Sequence, residues 1–74
     1  MSDALHLTLK EQEILRLIAQ GYMNKNIAAD LDTTEQVVKN YVSKILKKLH
    51  AVNRTEAVIK ASHYGLIPFD ARPD

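Results

Sequence analysis

Between Val38 and Leu49 two kinds of residue alternate at helical spacing. Val38, Tyr41, Val42, Ile45, Leu46 and Leu49 recur every three or four positions, the stripe of a core-facing helix surface. Interleaved with them are Lys39, Asn40, Ser43, Lys44, Lys47 and Lys48. Four of these six are lysines, and Asn40 and Ser43 add an amide and a hydroxyl. A helix anchored along the apolar stripe can lay such a polar face into a groove of DNA. It can equally be a solvated face on an ordinary bundle helix, so this helix alone does not decide.

Catalytic chemistry finds no comparable pattern. Glu11 and Glu13 stand two apart on a helix and diverge, so they make no paired-carboxylate site. Ser43 and His50 share a face but lie about 10 Å apart along the axis, beyond hydrogen-bond reach for a nucleophile and its base. Ser62 and His63 are neighbours pointing apart. His6, His50 and His63 lack the spacing of a zinc site, and Gly21 and Gly65 form no phosphate-cradling loop. We therefore expect no enzyme, no cofactor and no metal.

The elements that must carry the polar face read as four helices. The first spans about 8–20: Thr8 and Glu11 form a capping box, in which each side chain accepts from the other's backbone N–H. Leu7 and Gln12 make no hydrophobic staple, so this start rests on the box. Ile14, Leu15, Leu17 and Ile18 supply its buried stripe, and Gly21 ends it in the left-handed conformation. A second helix over 24–31 buries Ile27, Ala28 and Leu31. Asp32-Thr33 then turns the chain, and Thr34 caps a long helix over 34–50. Asn53 starts a fourth over 54–64, with Glu56 completing a box-like cap and Ala57, Val58 and Ala61 facing inward. Leu66 to Phe69 tucks back or packs on a partner, and 70–74 is expected to be disordered. The fold class is all-α, a four-helix bundle containing a helix-turn-helix.

Composition agrees with a single small domain over 1–74, its core from 7 to 67. At 74 residues, 46% hydrophobic and 26% charged, the chain is ordinary for a globular domain and too short for an enclosed active site. Without cysteine there is no disulfide framework. The start MSDALHL lacks a signal peptide's basic region, and no apolar run approaches the roughly 20 residues that span a bilayer. A cytoplasmic location is the default. Net charge is only +1, but its distribution is uneven. From Thr34 to Arg54 five basic residues face Glu35 alone, a net of +4, and the rest of the chain carries −3. Such asymmetry is what an electrostatic footprint on nucleic acid looks like, and a calmodulin-type target or a membrane-surface helix would share it.

These segments together resemble a known family. LTLKEQEILRLIAQGYMNKNIAADL, TTEQVVKNYVSKILKKL, NRTEAVIKA and GLI are similar to the LuxR-type, GerE-like helix-turn-helix domain. That four-helix module ends many bacterial response regulators and quorum-sensing regulators, and also occurs free-standing. The resemblance covers Leu7 to Ile67. It rests on Leu7-Thr8, Glu11, Glu13, Gly21, Asn24-Lys25, Ile27-Ala28, Leu31, Val38-Lys39, Ile45, Lys48-Leu49, Arg54, Ala57 and Gly65-Leu66-Ile67.

What the resemblance implies is a transcriptional regulator that binds double-stranded DNA as a homodimer, with RNA polymerase as a further partner. It implies neither a membrane nor a small-molecule ligand for this domain. Lys39, Asn40 and Ser43 would face base edges in the major groove. Lys39 reaches guanine acceptors, and Asn40 can pair bidentately with adenine. Asn24, Lys25 and Thr34 would hold phosphates, with Lys44, Lys47, Lys48 and Arg54 adding charge directed at the backbone. Arg54 has an alternative inside the domain, a pairing with an acid of the first helix. The fourth helix would supply the dimer surface through Ile59, Ser62 and His63.

Several residues depart from the family pattern. Met23 replaces a capping Ser or Thr, with Asn24 in position to cap one residue late. Thr33 replaces an apolar turn residue, Val37 a Thr, Tyr41 a frequent His, and His50 a terminating Gly. Met23 and Val37 each remove a hydroxyl suited to phosphate. They motivate a rival reading, a degenerate interaction module that heterodimerises with a full-length regulator and inhibits it. A weaker rival is RNA or membrane-surface binding by the lysine face, and the lack of exposed stacking aromatics counts against RNA.

Overall fold

The structure, a computed structural model, describes residues 6–67. Among them run four helices: α1 (Leu9–Ala19), α2 (Asn24–Asp30), α3 (Glu35–Leu49) and α4 (Arg54–His63). Each lies within a residue or so of its expected span. Pro68, Phe69 and the tail expected to be disordered lie outside the described residues.

Three of the four starts are capped by side chains as their sequences dictate. Thr8 Oγ1 accepts from Glu11 N at 3.1 Å and Glu11 Oε1 accepts from Thr8 N at 2.9 Å, closing the box on α1. Gln12 adds a bond to the Leu7 carbonyl at 3.1 Å. Thr34 Oγ1 accepts from Val37 N, and Asn53 Oδ1 from Glu56 N. The Glu56 carboxylate takes the Val52 N–H rather than that of Asn53, at 2.7 Å. The start of α2 differs. Met23 gives it no side-chain cap, and Asn24 does not take over the task. The Asn24 Oδ1 is buried with no hydrogen-bond partner among the described residues, whereas Asn26 Oδ1 accepts from Met23 N at 3.2 Å. Asn24 already lies inside the first turn, where its side chain cannot reach back to the orphan amides.

All four ends close in one way. A residue in the left-handed region follows each helix, and the next N–H returns to a carbonyl five residues earlier, the Schellman arrangement. Tyr22 N reaches Leu17 O, Thr33 N reaches Ala28 O, Ala51 N reaches Leu46 O and Leu66 N reaches Ala61 O. The left-handed residues are Gly21, Asp32, His50 and Gly65. At φ 55° and 54°, Asp32 and His50 adopt a conformation uncommon for residues with a Cβ, though Asp and His enter it more readily than most. His50 thus terminates α3 as a glycine would. Its carbonyl is held by Lys60 Nζ of α4 at 2.6 Å.

The stripes meet in one core. Ile14, Leu15, Ile27, Val38, Ile45 and Leu49 are the largest fully buried side chains, and α3 packs against each of the other three helices. Each such burial contributes about 1.5–3 kcal/mol. Leu17, Leu31, Tyr41, Leu46 and Val58, expected inside, are half-buried against that core. Leu7, Ala19 and Ile67 join it, so the segment after α4 does fold back at Ile67. A cleft of about 290 Å³ opens between α1, the α2–α3 turn and α3, lined by Ile14, Leu31, Thr33, Val38 and Tyr41 among others. It lies where an apolar residue in place of Thr33 would sit.

Candidate nucleic-acid interface

Anchoring Val38, Val42, Ile45 and Leu49 in the core fixes the azimuth of α3. Its opposite side then carries Gln36, Asn40, Ser43 and Lys47, spaced three or four apart and all exposed, with exposed Lys39 on one flank beside Asn40 and Ser43. Lys44 flanks this row and is exposed too. At 1.5 Å per residue the 15-residue helix is about 22 Å long. A helix of this diameter fits a major groove about 12 Å wide. The structure therefore brings Lys39, Asn40 and Ser43 together on one outward surface.

The residues expected at phosphates divide into two groups. Lys25, Lys44 and Lys47 are exposed and make no ion pair among the described residues. Thr34 is exposed at the start of α3. Its hydroxyl oxygen is engaged by Val37 N, which leaves the O–H as a donor. Asn24 is half-buried, its amide oxygen turned inward.

Lys48 and Arg54, expected at phosphates, both hydrogen-bond within the fold, as the alternative for Arg54 allowed. Lys48 Nζ donates to Glu11 Oε1 at 2.8 Å and to the His6 carbonyl at 3.3 Å, tying the end of α3 to the start of α1. Arg54 does not meet an acid of α1. Its Nη1 donates to the Tyr22 carbonyl at 3.2 Å, fastening α4 to the loop between α1 and α2. Both cations are thus committed within the fold. For Lys48 the physical reason is Glu11, only 3% exposed, whose carboxylate needs a cation once it is buried. Burial is the largest influence on its pKa and pushes it up. The hydrogen bonds from Lys48 and Thr8 and the lysine charge together outweigh that, so the carboxyl titrates below its ordinary value.

On α4, Ile59 is 53% exposed, His63 is exposed and Ser62 half-buried, with Val52 and Tyr64 as further exposed apolar side chains nearby in sequence. Sequence reasoning passed over two residues at or beside the interface. Gln36 continues the outward row by the same three-and-four spacing, and that spacing would have found it. Its Nε2 donates to Asn40 Oδ1 at 3.2 Å. Glu11, read as a helix cap and as unable to pair with Glu13, is also the partner of Lys48; nothing local in the sequence signals a pairing across 37 positions.

Among the described residues there is no cluster of metal-ligating side chains and no helix long and apolar enough to cross a membrane.

The same arrangement recurs in known proteins. The profile of the bacterial regulatory proteins of the luxR family, GerE, matches residues 5–61. The uncharacterized transcriptional regulatory protein YvfU of Bacillus subtilis is 48% identical over 67 residues, covering 90% of this chain and 34% of its own length. The response regulator protein VraR of Staphylococcus aureus is 51% identical over 61 residues, 82% of this chain and 29% of its own. The structure of the transcription factor GerE superposes with a TM-score of 0.81 at 31% identity, covering 86% of this chain and 96% of that one. The chain spans about a third or less of the curated relatives it matches and nearly all of the GerE structure. With its four helices, its helix-turn-helix of α2 and α3 and its matched profile, the chain belongs to the luxR family of bacterial regulatory proteins.

Proposed function

We propose that this chain is one DNA-binding domain, its core at 7–67, that binds double-stranded DNA sequence-specifically and regulates transcription in the bacterial cytoplasm. The observation that carries the reading is the outward row of α3, set opposite a fully buried stripe in a chain of this family. In this reading α3 lies in the major groove. Lys39, Asn40 and Ser43 read base edges, and Lys25, Thr34, Lys44 and Lys47 hold phosphates and fix register. Asn24 contributes at the start of α2 only if its side chain turns outward. Lys48 and Arg54 act by holding α3 and α4 in place. The rival interaction module is not favoured, because the polar row stays exposed despite Met23 and Val37.

Assembly follows from α4. Ile59, Ser62 and His63 form the surface on which two copies pair, setting two recognition helices about 34 Å apart, one turn of duplex. The patch is small, so pairing takes place mainly on DNA, where adjacent half-sites raise the effective concentration. RNA polymerase is the partner that such a bound dimer would engage.

Binding to duplex DNA across a salt series tests the reading. A dimer that neutralises roughly six to eight phosphates gives a log–log slope of about −5 to −7. A slope near zero, or no duplex binding at low salt, sinks it and promotes the interaction module. Ile59→Glu tests assembly: cooperative filling of two half-sites should vanish while single half-site binding and the fold persist. Cooperativity that survives places the dimer surface elsewhere, with the exposed Tyr64 at the end of α4 the next candidate.

A further inference from the structure

We infer that Gln36 is a positioning residue that sets base preference through Asn40, an inference that rests on the DNA-binding reading above. The two side chains stand one helical turn apart on the outward row of α3, both exposed, with Gln36 Nε2 donating to Asn40 Oδ1 at 3.2 Å. An asparagine amide alone can turn over about its last torsion and exchange its oxygen for its NH2. It would then present donor and acceptor to a base pair in either order. The bond from Gln36 opposes that turn, because turning the Asn40 amide over by itself would bring two NH2 groups face to face, and only a joint turn of both amides restores the bond.

Held in this way, Asn40 keeps one lone pair of Oδ1 and both hydrogens of Nδ2 for the groove. A fixed acceptor beside a fixed donor matches the N6 donor and N7 acceptor of adenine. Guanine offers only acceptors along the same edge, so the acceptor of Asn40 would face another acceptor there. Gln36 therefore favours adenine at the base pair facing Asn40 without itself touching a base. Before binding, water competes for this exposed bond and it holds weakly. Once the groove excludes that water, the bond strengthens and the orientation becomes a specificity device.

The test is selection of the full chain on a pool of randomised duplexes, reading relative affinity for the four bases at each position. The position read by Asn40 is the one whose preference disappears in Asn40→Ala. There Gln36→Met, of similar size and without the donor, should reduce the adenine preference about two- to tenfold, the scale of one net hydrogen bond. Gln36→Lys keeps a donor to Oδ1 and should retain the preference. Gln36→Glu accepts from Nδ2 instead, holds the amide the other way round and should abolish it. Charge changes alter overall affinity, but the ratio between bases at one position cancels them. In the Asn40→Ala background, Gln36→Met should change nothing further at that position.

Two results overturn the inference while leaving DNA binding intact. One is an unchanged preference in Gln36→Met; the other is an equal loss with or without Asn40, which would make Gln36 a direct base contact. A parent chain that binds no duplex overturns both this inference and the reading beneath it.

Discussion

The two ends of the polar face of α3 have different uses. Along its first half Gln36, Lys39, Asn40 and Ser43 stand exposed, with a hydrogen bond joining Gln36 to Asn40. At its last turn two adjacent lysines part company. Lys47 stays exposed, whereas Lys48 turns onto a buried carboxylate of α1. A single step along the helix thus separates a side chain available to a ligand from one that holds the bundle together. A lysine's contribution to a DNA-facing field depends on what lies behind it, which a count along the chain does not show. The +4 of the segment 34–54 is overstated by the charge that Glu11 cancels.

The strongest way to break this division is to remove the carboxylate. Glu11→Ala deletes half of the α1 capping box and leaves Lys48, with its side chain 30% exposed, only the His6 carbonyl. Breaking a fully buried pair costs about 3–5 kcal/mol, and the partial exposure of Lys48 lowers the expected cost to about 2–3 kcal/mol. That is a large share of the stability of a domain this small, and urea unfolding at neutral pH reads it directly. A loss near zero would mean that Lys48 is not held and belongs with the phosphate-directed lysines after all.

The same contact shapes the acid limb of stability. Because the folded pKa of Glu11 lies below its ordinary 4.5, its contribution is complete above that value. It is lost as pH falls through 4.5 toward the lower folded pKa. Glu11→Gln, which still accepts from Thr8 N, should be less stable than the parent at neutral pH and converge on it in acid. Parallel stability curves across that window would show that the carboxylate's charge contributes nothing.

A finer test sets the two lysines against each other. Lys47→Ala should leave the melting temperature unchanged, weaken duplex binding on all sequences alike and reduce the salt slope by about 1 per protomer. Lys48→Ala should do the reverse, keeping the slope while destabilising the fold by about 1–2 kcal/mol, the cost of leaving a buried acceptor with its charge unmet. Equal effects of both substitutions on the slope would erase the distinction.

What the sequence made legible is what local chemistry decides. The stripe of α3, the Thr8–Glu11 box, the Thr34 and Asn53 caps and the Gly21 terminus depend on residues a few positions apart, and each is found in the structure. The partners of Lys48 and Arg54 depend on chain segments more than 30 positions away, which periodicity cannot bring together. The left-handed φ of Asp32 was not foreseen, for another reason. Aspartate is a common turn residue, and its left-handed φ follows from how α2 must end before α3 begins. Gln36 was legible, since it stands on the same three-and-four row as the uncharged Asn40 and Ser43.

The smallest expected effect concerns the one bare helix start. Met23 already has the extended backbone of an N-cap residue, at φ −85° and ψ 165°, and Asn26 already supplies the return bond to its N–H. Only the forward acceptor is missing. Its side chain is 65% exposed, so replacing it sacrifices little packing. Met23→Ser should therefore complete a reciprocal cap and stabilise the fold by about 0.5–1.5 kcal/mol. For a domain of this size each kcal/mol raises the melting temperature by about 4–8 °C. The new hydroxyl accepts from the backbone through its oxygen and keeps its hydrogen as a donor. If the start of α2 lies against the DNA backbone, that donor should also tighten duplex binding by a similar factor on every sequence. A gain in stability with no change in affinity would place the start of α2 away from the phosphates and leave α3 to dock without it.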